Sequence, residues 1–168
     1  MQLLVIRHGI AEDRETFAAS GRDDSERPLT SEGRDKMRRA AAGLRHVVPR
    51  IDILASSPYA RALQTARVVG STYGLGDVES LGALAPDAAL DQLLPWLEPL
   101  RDVGVVALVG HEPHLSSLVT WLISGRDDSR LELKKGGAAV VAFDGRPGAG
   151  RGVLRWLLTP RQLRDLGR

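Results

Sequence analysis

Short apolar runs alternate along this chain with longer stretches in which apolar residues recur at helical spacing. Gln2 to Ile6 is an apolar run suited to a strand buried on both faces. Ile10 to Arg27 is polar and irregular and reads as a long loop. Thr30 or Ser31 can cap a helix with Glu32 in its first turn. Met37, Ala40, Ala41, Leu44 and Val48 then share a face, and Pro49 closes the helix. Ile51 to Ala55 reads as a second buried strand. Ser57 is placed to cap the next helix, with Pro58 at its first position. Leu63, Ala66, Val69 and Tyr73 line one face of it, and Gly74 ends it. Asp87 reads as the cap of a helix through Leu90, Leu93, Leu94 and Leu97, broken or kinked at Pro95 and Pro99. Val105 to Val109 is the third clear strand, and Pro113 opens a helix striped by Leu115, Leu118, Val119, Leu122 and Ile123. Ala138 to Phe143 and Val153 to Leu158 read as a strand pair, joined by a turn that is long for a hairpin. Pro160 to Leu166 fits a short terminal helix.

Such alternation predicts an α/β fold, a three-layer sandwich with a mostly parallel central sheet flanked by helices. The 168 residues suit a single domain, 1–168, and no compositional break divides them. Hydrophobic residues at 43% can fill a core, and with aromatics at 4% that core must be aliphatic. Cysteine is absent, which excludes disulfides and thiolate metal sites. No other metal-ligand spacing is evident, and no cofactor is expected. The net charge is +2 and the signs are interspersed, so a nucleic-acid stripe is not expected. The first strand begins at once, without the pattern of a signal peptide, and no apolar run nears the ~18 residues of a membrane span. A cytoplasmic protein without membrane association is expected.

The chemistry gathers where apolar strands end. In open α/β sheets ligands bind at the carboxyl ends of strands. Arg7-His8-Gly9 puts a fixed cation and an imidazole at the first tip, with Gly9 available for close backbone approach. Ser56-Ser57-Pro58 follows the second strand, and Arg61 falls in the first turn of the helix behind it. There its guanidinium can serve an anion. Gly110-His111-Glu112-Pro113 follows the third. Two arginines and two histidines at one end of three strands suit a phosphate dianion. Guanidiniums can hold it, and a neutral imidazole can attack phosphorus.

These segments resemble, in order, the blocks of the histidine phosphatase superfamily, also called phosphoglycerate mutase-like. Arg7-His8-Gly9 is similar to its signature. Ser56-Ser57-Pro58-Tyr59-Ala60-Arg61-Ala62-Leu63-Gln64-Thr65-Ala66 resembles its second block, and Gly110-His111-Glu112-Pro113 its third. Arg27-Pro28-Leu29-Thr30-Ser31-Glu32-Gly33 and the short length further resemble the SixA-type phosphohistidine phosphatase branch. The resemblance implies a phosphoglycerate mutase-like fold and a metal-independent phosphatase. It implies that His8 is the nucleophile, forming a phosphohistidine intermediate. Arg7 and Arg61 would bind the phosphoryl oxygens, His111 would complete the pocket, and Arg27 would add a contact from its loop. The implied substrate is a histidine-phosphorylated signalling protein. A small phosphorylated metabolite, such as a sugar phosphate or nucleotide, is the alternative; phosphoglycerate mutase activity and a non-catalytic binding module rank lower.

One departure bears on substrate. Mutase-type relatives carry a glutamate acid after the second helix, where this chain reads Leu81-Gly82-Ala83-Leu84-Ala85-Pro86-Asp87. Glu79, Asp87 and Glu112 remain as possible acids. His46 reads as a surface residue and His114 as a helix-start residue. The segment Ser20-Gly21-Arg22-Asp23-Asp24-Ser25 recurs as Ser124-Gly125-Arg126-Asp127-Asp128-Ser129, and both copies read as polar loops. Gly148 to Gly152 lacks the strand-to-helix context of a nucleotide loop.

Overall fold

The computed structural model describes residues 1–168 and contains one six-stranded sheet of order β3-β2-β4-β1-β5-β6. Its strands are β1 (Gln2–Arg7), β2 (Ile53–Ser56), β3 (Glu79–Ser80), β4 (Val105–Gly110), β5 (Ala138–Phe143) and β6 (Gly152–Leu158). β1 to β4 pair in parallel, while β5 runs antiparallel to both β1 and β6. The helices are α1 (Arg14–Ala18), α2 (Ser31–Val47), α3 (Ala60–Tyr73), α4 (Leu94–Leu97), α5 (His114–Ser124) and α6 (Pro160–Leu166).

Strand alternation sorts the core into two clusters, one on each face. Leu4, Ile6, Ala107 and Val109 face α2, α3 and α6, whereas Leu3, Val5, Val106 and Leu108 face α5 and the segment around α4. The core is almost wholly aliphatic, as the composition predicts. Its buried phenylalanines are Phe17 and Phe143, each 6% exposed.

Several boundaries differ from the sequence reading. The Ile10–Arg27 loop contains α1, capped by Asp13, and a 3-10 turn at Asp24–Glu26 capped by Asp23. Both caps are Asp side chains accepting from backbone N–H groups, a local signal that an apolar-period reading does not detect. β2 starts at Ile53, after Asp52 ties off the preceding loop by accepting from the Val105 N–H. Ser57 does not cap α3, and Pro58 is not its first residue. Tyr59 holds the cap position without a side-chain bond. Asp87 caps nothing and lies in a turn; the stretch behind it breaks into 3-10 turns at Leu90–Leu93 and Glu98–Leu100 around the four residues of α4. Pro95 and Pro99 each open one of the short segments, as residues without an N–H do best.

Two glycines set close approaches that the site depends on. A Cβ on Gly33 would lie 2.0 Å from the Ile10 carbonyl oxygen, so the loop after His8 can lie on α2 only because Gly33 has none. At Gly43 a Cβ would lie 1.7 Å from the Leu163 carbonyl oxygen, so α6 packs directly on α2. Gly9, singled out in the sequence for close approach, is less demanding, since a Cβ there would meet its nearest neighbours at 3.4 Å.

Candidate active site

β1, β2 and β4 are adjacent and parallel, so their carboxyl ends meet at one edge. His8, Ser57 and His111 follow those ends directly. Because β5 is antiparallel, its start reaches the same edge; the Arg7 and His8 carbonyls both accept from the Gly136 N–H at 3.1 Å. The resulting cleft has a volume of 470 Å³ and is lined by Arg7, His8, Arg27, Arg61 and His111, together with Arg14, Asp24, Tyr59, Asp87, Glu112 and Lys135 among others. The five residues selected in the sequence thus share one cavity.

His8 is 6% exposed, and its Nδ1 lies 2.7 Å from the Gly9 carbonyl oxygen. A carbonyl can only accept, so Nδ1 carries the proton and the Nε2 lone pair is free. Gly9 is itself held, its N–H donating to Thr65 Oγ1, which donates in turn to the Arg61 carbonyl. Burial, together with the positive charges of Arg61, Arg7 and Lys135, pushes the His8 pKa down to about 3 despite that carbonyl. The ring is therefore neutral at pH 7, the state in which an imidazole is a nucleophile.

His111 lies beside it, with ring centroids 5.1 Å apart, and Tyr59 packs edge-on against His111 at the same separation. Its Nε2 bonds to Ser57 Oγ at 2.8 Å. This explains the buried Ser57 better than a capping role does. Burial, then the neighbouring His8 and Arg61, hold His111 at about 3 as well.

The guanidiniums are fixed by acceptors. Arg7 donates from Nη1 to the Leu133 carbonyl. Arg61 donates from Nη1 to the Asp24 carbonyl and from Nη2 to Asp24 Oδ2, at 2.8 and 3.0 Å, with its guanidinium over the Tyr59 ring. Arg27 donates from Nε to Asp24 Oδ1 at 2.8 Å. Asp24 thus brackets Arg61 and Arg27, with Arg14 at 3.8 Å as a third partner, rather than belonging to a solvated loop, which corrects the sequence reading. Burial disfavours its charge, but Arg27, Arg61 and Arg14 outweigh that and keep its pKa below the usual range. The equivalent Asp128 only pairs with exposed Arg126. Nothing in the hexapeptide itself distinguishes the two copies.

Of the possible acids, Glu79 lies outside the cleft and accepts from the Trp96 indole. Asp87 and Glu112 line it. Burial raises the Glu112 pKa against the opposing hydrogen bonds from Ser116 and the charge of Arg7. His114 is the first residue of α5, buried and outside the cleft lining, and His46 is exposed. No cluster of three or more His, Cys, Asp or Glu side chains suits a metal ion. No helix is long and apolar enough to cross a membrane.

A stability prediction follows from the two histidines. Their folded pKa values, about 3, lie below the ~6.5 of an unfolded histidine. Below pH ~6.5 the unfolded chain takes up protons that the folded site refuses. The contribution is fully present above that pH and is lost as the pH falls toward 3. Between pH 8 and pH 5 the loss should be about 2 kcal/mol per histidine, read from denaturant midpoints. His111→Gln should remove one such increment from the pH-dependent drop. An undiminished drop would show that the folded ring carries its proton.

The first half of the chain, residues 3–85, matches the family model described as histidine phosphatase superfamily, branch 1. Phosphohistidine phosphatase SixA of Escherichia coli K12 is 30% identical over 167 residues, covering 98% of this chain and 97% of that protein. An uncharacterized protein of Picosynechococcus is 32% identical over 82% of each chain. The solved structure of the protein histidine phosphatase SixA with tungstate superposes with a TM-score of 0.82 at 30% identity, over 97% of this chain and 99% of that one. With near-complete coverage in both sequence and structure, and a neutral histidine set among arginines at the sheet edge, the chain belongs to the histidine phosphatase superfamily, in its SixA-type branch, and is a phosphatase.

Proposed function

We propose that this chain, acting as one domain, hydrolyses phosphohistidine on a protein through a covalent intermediate on His8. The observation that carries the reading is the His8 ring: neutral, its Nδ1–H pinned to the Gly9 carbonyl, in a cleft lined by Arg7, Arg27 and Arg61. In the first step His8 Nε2 attacks phosphorus and the bond from phosphorus to the substrate nitrogen breaks. In the second, water attacks phosphorus and the bond to Nε2 breaks, returning His8 and releasing phosphate. Arg7 and Arg61, with Arg27 contributing from its loop, neutralise the equatorial oxygens in both steps, and His111 completes the pocket. Phosphoryl transfer needs this positioning and charge compensation more than any other assistance. The likeness to SixA supports phosphohistidine as the substrate class.

The leaving group tests that class. A phosphohistidine whose other ring nitrogen is protonated releases a neutral imidazole without a proton donor. An alkoxide is far more basic, since even water has a pKa of about 15.7. Phosphohistidine and activated aryl esters should therefore phosphorylate His8 much faster than phosphoserine does, measured by rapid quench across leaving groups of graded basicity. The second reading, a small-molecule phosphomonoesterase, is favoured by one observation: Glu112 lines the cleft with a raised pKa, as a proton donor requires. A flat dependence on leaving-group basicity that steepens in Glu112→Gln would establish that reading instead.

Metal removal gives a second test. The compensating charge in this cleft is carried by guanidiniums, so prolonged chelator treatment should leave the rate unchanged, and vanadate should inhibit competitively. Loss of activity restored by Mg²⁺ or Zn²⁺ would overturn the mechanism.

A further inference from the structure

We propose that a second, smaller cavity beside the catalytic cleft receives an acidic side chain of the phosphorylated protein, close in sequence to its phosphohistidine. The inference deepens, and rests on, the phosphohistidine reading above. The cavity has a volume of 180 Å³ and is lined by three cations from three parts of the fold: Lys36 of α2, Lys135 just before β5, and Arg164 of α6. Met37, Ala40 and Pro160 give it an apolar wall, and no carboxylate lines it.

The charge there is largely uncompensated. Lys36 pairs with Glu32 at 2.5 Å, one turn away on the solvent side of α2, where Glu32 is 67% exposed. Lys135 and Arg164 have no ion-pair partner, although their neighbours Lys134 and Arg161 each do. Size restricts the occupant. Pockets for small ligands typically run from about 300 Å³ upward. This one suits a single side chain: a carboxylate end for the cations and a methylene stem for the apolar wall.

Position ties it to the reaction. Lys135 lines both cavities, and Gly9, which lines the smaller one, directly follows His8. The two cavities therefore share a wall at the phosphate end of the cleft. An extended chain advances only about 3.3–3.6 Å per residue, so a residue close to the phosphohistidine is the one that can reach across. Arg164 is present only because α6 lies directly on α2, the contact that requires the bare Cα of Gly43.

The test uses two peptides of identical length, each phosphorylated on its single histidine with phosphoramidate. One carries Glu at the flanking positions and the other Gln. The full-length enzyme should show kcat/KM about fivefold higher on the Glu peptide at low salt, the upper range for exposed ion pairs. That preference should shrink toward one in about 0.5 M salt, as screening requires. Arg164→Glu, a change on a partly exposed helix face, should abolish or invert it. Turnover of both peptides at equal kcat/KM would overturn the acidic subsite and leave the phosphohistidine reading standing. A preference that survives Arg164→Glu would also overturn it, by showing that the acid is read elsewhere. Hydrolysis of p-nitrophenyl phosphate with no turnover of either peptide would overturn both.

Discussion

Replacing His8 by alanine should abolish turnover, by at least ~10³-fold, the scale expected when a covalent nucleophile is removed. The fold should survive. The His8 side chain makes its one hydrogen bond to the carbonyl of the next residue, so its loss strands no distant group. The neighbouring arginines keep their own acceptors at Leu133 and Asp24. Wild-type enzyme quenched during turnover of a ³²P-labelled substrate should carry acid-labile label on His8, and the alanine variant none. Label without the histidine, or normal turnover in the variant, would remove His8 from the mechanism. Absence of label on the wild type, with phosphate still bound, would instead describe a module that only holds phosphorylated ligands.

Arg61→Ala should cost roughly 10²–10³-fold in kcat, as removal of a preorganised transition-state charge does elsewhere. Arg61 is 4% exposed, and burial works against its charge while Asp24 sustains it. Its two terminal nitrogens are held by a single residue, Asp24, in the fork geometry that only a guanidinium presents. Arg61→Lys should therefore recover little of the loss, because a point charge cannot keep both bonds and the planar contact with Tyr59. Full activity in the lysine variant would show that charge alone suffices. Steady-state kinetics with a fast aryl ester separates the alternatives. An effect confined to KM would mean that Arg61 binds ground state and transition state alike.

The site was legible in the sequence where chemistry follows directly on an apolar strand. Arg7-His8, Arg61 and His111 stand out because a buried parallel strand has no structural need for such residues at its tip. Parallel pairing then brings the tips together. Only the family resemblance points to Arg27, which lines the cleft. Asp24 was not legible. Its hexapeptide occurs twice, and only the copy that folds over the α3 N-terminus pairs with Arg14, Arg27 and Arg61. The Ser57-Pro58 pair predicts a helix cap, because Ser-Pro ordinarily opens a helix. The Ser57 hydroxyl instead bonds to His111, 54 residues away.

The sequence by itself determined the alternation of strands and helices, the aliphatic core, and the grouping of His8 with Arg7, Arg61 and His111 at the strand ends. Each of these is written in local periodicity or in a short motif, and each obeys a rule about what a strand or helix of that composition must bury. Tertiary structure alone decided which neutral form His8 takes, since that depends on the orientation of the Gly9 carbonyl. It alone selected Asp24 over Asp128 and brought Lys135 to the site, because the antiparallel β5 starts at the edge where β1 ends. It alone assembled Lys36, Lys135 and Arg164, which are separated by 99 and 29 positions in the chain, around one cavity. Long-range pairing and close helix contacts set those distances, and no local pattern of residues encodes them.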